Sequence, residues 1–269
     1  MIDLHNHIIY GVDDGSRSLE ESVEMARQFV ELGVNRLVAT PHYRPSQAFV
    51  GERDMMRERL GAIQEAVNRE GLDLQMDLGN ELYYCPEILP LLKEGRLSPY
   101  GDSHYILLEM PFRQEPVGMS AFLYELQMAG YIPLLAHVER YFYVTDSPSW
   151  LDPWLNKGCY VQCNLSSLTE EGSPAYATIV ELLRQGKVHV FAGDCHQAEW
   201  RSPAGQQAGI RELRYLVGEN GIKELLEENP KRLLENKRLL STAYAVEGKS
   251  TKKKQKKGFF SFFRRNKGQ

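Results

Sequence analysis

The stretch GKVHVFAGDCHQAEWRS, residues 186 to 202, decides the fold because its plan recurs along the chain. A glycine closes a helix-like segment, a short β-rich run follows, and the run ends in polar residues, here Asp194 and His196. The same order follows Gly33 (VNRLVATPH), Gly71 (LDLQMDLGNE), Gly130 (YIPLLAHVE) and Gly158 (CYVQCN). MIDLHNH and SHYILLEMP bring the expected strands to seven. Glycine suits the left-handed position just past a helix, and unbroken apolar runs suit strands buried on both faces. Between the runs, SLEESVEMARQFVELG, ERDMMRERLGAIQEAVNREG and SPAYATIVELLRQG carry helical apolar spacing. The first opens on a capping box, Ser18 with Glu21.

Strands that alternate with helices predict a parallel sheet with crossover connections. An open doubly wound sheet and a closed barrel both meet that requirement. The positions of the polar residues favour the barrel. They fall at 5 and 7, 42, 81, 109, 137, 164, then 194 and 196, so nearly every strand ends in one. In a barrel those ends form a ring around one mouth, where active sites sit; in an open sheet they form a row too long to meet. The expected fold is an α/β, seven-stranded barrel variant over residues 1–248, followed by a tail at 249–269.

The chain has 269 residues, of which 42% are hydrophobic, enough for a sizeable core. It holds no apolar run long enough for a membrane-spanning helix. Its opening lacks the basic-then-apolar order of a secretory leader. Four scattered cysteines (Cys85, Cys159, Cys163, Cys195) do not make a disulfide framework, so a cytoplasmic protein is expected. The net charge of −4 hides an asymmetry. Nine Lys or Arg and no acid lie in 249–269, which leaves 23 basic against 36 acidic residues before them, about −13. An acidic body argues against a duplex-binding domain.

GDCHQAEWRS admits two chemistries. Cys195 and Arg201, with five residues between them and Ser202 next, fit the nucleophile and phosphate-gripping arginine of a thiol phosphatase. Asp194 and His196 fit metal ligands beside a bystander cysteine. The thiol reading needs a loop whose N–H groups all point inward, which usually takes glycine. CHQAEWR has none, and Asp194 disfavours a thiolate. The metal reading draws support from the rest of the chain. Of seven histidines, five (His5, His7, His42, His137, His196) lie at strand ends, beside Asp14, Glu81, Glu109 and Asp194. A period of two puts His5 and His7 on one face, and likewise Asp194 and His196. Asp14 sits in GVDDGS, where Asp13 competes for its place and DDG is also turn chemistry. Mixed imidazole and carboxylate donors suit manganese, iron, zinc or magnesium. Residue chemistry alone therefore reaches a multimetal hydrolase. His104 and His189 are left as structural.

DLHNH, ATPH, GNELYY, LLEMP, LLAHVERY and AGDCH, in that order, resemble the PHP (polymerase and histidinol phosphatase) metal-dependent phosphoesterases. MIDLHNHIIYGVDDGSRSLEES and AHVERY resemble more narrowly the bacterial PHP-type tyrosine-protein phosphatases of capsule and exopolysaccharide synthesis. The resemblance spans about residues 1 to 240. It implies a distorted (β/α)7 barrel with three ions, often manganese (Mn²⁺). By position, His5, His7, Glu81 and Asp194 would hold the first ion. Glu81 would bridge to a second, with Glu109 and His137, and Asp14, His42 and His196 would hold the third. Arg140 would contact phosphate, as would Arg201, for which a surface salt bridge is the competing reading. The implied reaction is hydrolysis of phosphotyrosine on a membrane-associated bacterial tyrosine kinase by metal-activated hydroxide. The alternatives are another PHP phosphoesterase, such as a histidinol-phosphate phosphatase, and a metal-holding scaffold without turnover.

The tail KSTKKKQKKGFFSFFRRNKGQ is low in complexity and is expected to be disordered. Phe259, Phe260, Phe262 and Phe263 between basic clusters fit a segment that attaches to an anionic membrane surface. Single-stranded nucleic acid is the rival partner.

Overall fold

Each of the seven expected runs contributes strand, but two of them do so in two pieces. In the computed structural model the strands are β1 (Ile2–Asp3), β2 (Arg36–Ala39), β3 (His42–Tyr43), β4 (Gln75–Leu78), β5 (Glu81–Tyr83), β6 (Tyr105–Glu109), β7 (Ile132–Leu135), β8 (Tyr160–Asn164) and β9 (Val190–Ala192). The structure describes residues 1–246, so the expected tail at 249–269 lies outside the described residues. VNRLVATPH splits into β2 and β3 because Pro41 has no N–H to give to a ladder. LDLQMDLGNE splits beside it, at Gly79 and Asn80, into β4 and β5. Backbone bonds still cross the break, Gly79 N–H to Ala39 O at 2.8 Å and Glu81 N–H to Pro41 O at 3.1 Å.

All pairing between these strands is parallel, in the orders β1-β2-β4 and β3-β5-β6-β7-β8-β9. Alternate residues divide between two environments, which shows that the sheet curls. Tyr105 and Leu107 of β6 join Leu4, Val38, Leu134 and Val190 in a central cluster. Ile106 and Leu108 of the same strand face outward into the core beneath the helices. The chain's first and last runs also meet. Asp194 N–H donates to His5 O at 2.7 Å, and His7 N–H donates to Cys195 O at 2.8 Å. The buried Asp3 carboxylate clasps the same junction, accepting from Gly193 N–H at 2.8 Å, Asn6 Nδ2 at 2.8 Å and His5 N–H at 3.2 Å.

The helices follow their sequence signals. Leu19–Glu31 starts where Ser18 Oγ accepts from Glu21 N–H, while the Glu21 carboxylate turns to Arg17 instead of closing the box on Ser18. Arg53–Arg69 packs beside it over Ile8, Ile9 and Leu37. Pro174–Arg184 is capped by Ser173, whose Oγ accepts from Tyr176 N–H at 3.1 Å. Among the described residues, no helix is long and apolar enough to cross a membrane.

Candidate metal centre

Strand register brings the first site residues together. His42 pairs with Glu81 across β3 and β5, and Tyr83 pairs with Glu109 across β5 and β6. His5 and His7 leave the β1 run with ring centroids 5.5 Å apart, on one face as the period of two requires. At the far end of the chain the expectation needs correction. β9 stops at Ala192, and Asp194 adopts a left-handed φ of 51°. It therefore reaches the cluster through a backbone twist, not through strand alternation. His137, just past β7, is also left-handed at φ 32° and Arg201 at 49°. Such conformations cost free energy in a non-glycine residue and persist where surrounding contacts hold them.

The nine residues named from the sequence surround one space. His5 Nε2 lies 3.2 Å from Glu81 Oε2 and 3.4 Å from Asp194 Oδ1. His7 Nε2 lies 3.4 and 3.5 Å from the same two oxygens. His42 Nδ1 is 2.9 Å from Glu81 Oε2, and His137 Nε2 is 2.9 Å from Glu81 Oε1 and 3.9 Å from Glu109 Oε1. Asp14 Oδ1 sits 3.5 Å from His42 Nε2 and 3.7 Å from His196 Nε2. Four sets of donor atoms each fit within 4.8 Å: His7–Asp14–His42–His196, His5–His7–Glu81, His5–His137–Asp194 and His42–Glu81–Glu109. Eight of the nine residues are buried, Asp14 being the exception.

The donor chemistry fits cations. His5 Nε2, His7 Nε2, His42 Nδ1, Glu81 Oε2 and Glu109 Oε2 are buried without a hydrogen-bond partner among the described residues. Orphans of that kind are costly unless something else satisfies them. Burial alone would lower the pKa of His5, yet Glu81 and Asp194 raise it; His7 is likewise driven well up, against its burial, by Asp13 and the two carboxylates. Burial would raise Glu81 and Asp194, but His5 pulls both well below the ordinary carboxylate range, helped by His42 at Glu81 and by His7 and Arg201 at Asp194. Glu109 goes the other way, raised by burial and by Glu81. His196 is pushed down to about 2 by burial and by His7, so it is a neutral ring. The carboxylates thus demand positive charge in the space that the ring nitrogens face.

A second layer fixes the rings, and sequence reasoning missed most of it. Asp13 and Asp14 divide their labour: the Asp13 side chain is buried and accepts from His7 Nδ1 at 2.8 Å and from His42 N–H at 2.9 Å, while the half-exposed Asp14 faces the cluster. Gln162 Oε1 accepts from His137 N–H at 2.9 Å and lies 3.2 Å from His5 Nδ1. Asn164 Nδ2 donates to Asp194 Oδ2 at 2.7 Å. Asn164 stands among the polar strand ends of the sequence, and Gln162, two residues before it in an apolar strand, could have been noticed with it. Arg44 was also missed; its guanidinium lies 3.5 Å from Glu109 Oε2 and 4.2 Å above the Tyr83 ring.

The two arginines named from the sequence lie at the edge of this cluster. Arg140 NH1 is 3.3 Å from Asp194 Oδ2. Arg201 donates to Asp194 Oδ2 and approaches His196 Nε2 at 3.0 Å. Its partners are site residues, so it is not a surface salt bridge elsewhere on the molecule. Cys195 faces away, wholly buried with Ile8, Met25 and Phe29, and burial together with Asp3 and Asp194 pushes its thiol well up. A buried protonated thiol is a poor nucleophile. His189 is buried and accepts from Val161 N–H through Nδ1 at 3.1 Å, and exposed His104 uses its backbone N–H on Asn236; both stay outside the cluster.

The chain is similar to known proteins in sequence and fold. The model for capsular polysaccharide synthesis proteins CpsB/CapC matches residues 1–235. Tyrosine-protein phosphatase YwqE of Bacillus subtilis is 31% identical over 97% of this chain and 100% of its own. Tyrosine-protein phosphatase CpsB of Streptococcus pneumoniae is 31% identical over 87% of this chain and 98% of its own. A crystal structure from work on those two metal-dependent tyrosine phosphatases superposes with a TM-score of 0.83 at 30% identity, covering 92% of this chain and 99% of the other. A lactonase from Listeria monocytogenes superposes at 0.56 and 12% identity, a likeness of fold alone. The chain belongs to the CpsB/CapC family of capsular polysaccharide synthesis proteins.

Proposed function

We propose that this protein is a metal-dependent protein-tyrosine phosphatase that removes phosphate from a bacterial tyrosine kinase of capsule or exopolysaccharide synthesis. The observation that carries it is the convergence of nine donor side chains, among which His5 Nε2, His7 Nε2, His42 Nδ1, Glu81 Oε2 and Glu109 Oε2 are buried without a hydrogen-bond partner among the described residues. The chain's relatives named as tyrosine-protein phosphatases support the substrate class. We read the seven runs as staves of a distorted (β/α)7 barrel, a reading supported by the bonds between the His5–His7 and Asp194–Cys195 segments. His5, His7, Asp14, His42, Glu81, Glu109, His137, Asp194 and His196 would hold up to three ions, with manganese as the preferred occupant. Bound divalent cations would supply Lewis-acid charge and bring the pKa of water toward neutrality.

The remaining work falls to the protein. Glu81 and Asp194 stay ionised and hold the ring nitrogens in place. Gln162, Asn164 and Asp13 fix ring and carboxylate orientation, so no reorganisation is needed when substrate arrives. Arg140 and Arg201 each offer a planar fork that can grip two phosphoryl oxygens and neutralise their charge. The basic residues of 249–269 would draw the enzyme to an anionic membrane surface, near its kinase, at roughly 1 kcal/mol per charge. A chain truncated after 248 should then lose its binding to anionic vesicles.

The deciding assay compares a phosphotyrosine peptide, histidinol phosphate and p-nitrophenyl phosphate, after chelation and after readdition of Mn²⁺, Fe²⁺, Zn²⁺ or Mg²⁺. Metal-dependent turnover of the peptide supports this reading. Preference for histidinol phosphate would move it within the enzyme class, and full metal loading with no turnover would make it a scaffold.

A further inference from the structure

Beside the nine-residue cluster lies a cavity of about 560 Å³. Its walls include Phe112, Glu139, Arg140, Phe142, Ser167 and Glu170. Arg140 belongs to both sites, reaching Asp194 on one side and lying 5.0 Å above the Phe112 ring on the other. Phe112 in turn sits 5.7 Å from the His137 ring, so the cavity begins where the cluster ends. Phe142 is held next to it by its N–H, which donates to Phe112 O at 2.8 Å, yet its ring is 54% exposed.

The polar lining narrows the occupant. Glu139 is wholly buried; its Oε1 accepts from Ser167 Oγ at 2.7 Å and Asn164 N–H at 3.0 Å, while Oε2 has no hydrogen-bond partner among the described residues. Glu170 adds a second acid. Arg140 is engaged with Asp194 at the cluster edge; away from it the two acids disfavour an anionic side chain, and two phenyl rings offer faces and edges to another aromatic ring. A phosphate gripped by Arg140 would leave the substrate backbone running past the cavity. At roughly 3.5 Å per extended residue, a side chain one or two positions away would reach it.

We propose that this cavity is a specificity subsite that takes an aromatic side chain flanking the phosphotyrosine, with Phe112 and Phe142 as its walls and Glu139 and Glu170 as its barrier to acidic flanks. The inference rests on the phosphatase reading and deepens it. The test uses full-length protein loaded with Mn²⁺ and alanine-based phosphotyrosine peptides with one phenylalanine or one aspartate at each of the two positions before and after. p-Nitrophenyl phosphate, which has no flanking residue, serves as the control substrate. Phenylalanine at one or two of these positions should raise kcat/KM by about tenfold over alanine. Phe142→Ala should erase that gain and Phe142→Tyr keep it. Glu170→Gln should ease the penalty for aspartate. Absence of any flank preference in the wild type overturns the proposal. So does Phe142→Ala slowing p-nitrophenyl phosphate by the same factor as the peptide, since the reacting ring itself would then occupy the cavity. Wild-type enzyme that turns over neither substrate with any metal would instead sink the phosphatase reading.

Discussion

Asp13 Oδ2 lies 2.8 Å from His7 Nδ1 and also accepts the backbone N–H of His42 at 2.9 Å. One carboxylate thereby sets the orientation of one ring and the backbone of another. With Nδ1 held by Asp13, His7 turns its Nε2 toward Glu81 and Asp194. Asp13→Ala should weaken metal affinity and activity roughly 10- to 100-fold, the usual cost of losing such an outer partner. Metal titration of the variant checks this; an unchanged affinity would show that the ring is oriented by packing alone.

Cys195→Ser separates the two chemistries that GDCHQAEWRS first allowed. The thiol is buried in an apolar cluster, so the serine variant should lose some stability while its kcat stays near wild type. Chelation of the wild type should abolish turnover. An inactive Cys195→Ser that is folded and metal-loaded would restore the thiol mechanism.

Arg140→Lys keeps the charge and removes the fork. Loss of two-bond phosphate contact should cut kcat/KM by about 10²-fold, with a smaller change in metal affinity than in the matching Arg201 variant, since Arg140 touches Asp194 but not His196. Arg201→Lys should do the same and, because Arg201 also bonds Asp194 and His196, should alter metal affinity as well. Metal analysis alongside kinetics distinguishes the two arginines.

His189 predicts a pH dependence of stability remote from the cluster. Burial pushes its pKa down to about 4 from 6.5, and its Nδ1 is already committed to Val161 N–H. The folded ring is therefore neutral, whereas the unfolded ring takes up a proton below 6.5. Its contribution is complete above that pH and is lost as pH falls from 6.5 toward 4, by about 3 kcal/mol in all. The difference in unfolding free energy between wild type and His189→Gln, followed from pH 7 to 4, should shrink by that order. A constant difference would show that His189 does not titrate on unfolding.

Much of the site was legible because chemistry at strand ends survives any error in strand boundaries. Each of His5, His7, His42, Glu81, Glu109 and His137 ends an apolar run, and a run is easy to see. What was not legible depends on contacts between distant segments. Asp13 and Asp14 are the same residue type in one turn, and their division of roles appears only when Asp13 is seen against His7 and the His42 N–H, in a turn where a Cβ at Gly15 would lie 2.3 Å from the His7 carbonyl oxygen. Asp194 seemed to lie on a strand because its spacing from His196 is two, yet its left-handed backbone ends the strand first. The split at Pro41 follows from a missing N–H, but the matching break at Gly79 becomes visible only when the two strands are side by side. Arg44 reads as a loop residue until Tyr83 and Glu109 are placed next to it.

The Asp3 clasp on Gly193 joins positions 190 residues apart, and Asp194 and His196 follow directly. A ribosome must therefore deliver nearly the whole catalytic body before the first and last segments can meet. Until then the nascent chain carries its early histidines without Asp194, one of the carboxylates that His5 and His7 face. Maturation is thus tied to completion of synthesis, and a prematurely terminated product ending before residue 193 would be inert toward its substrate however well its leading helices had formed.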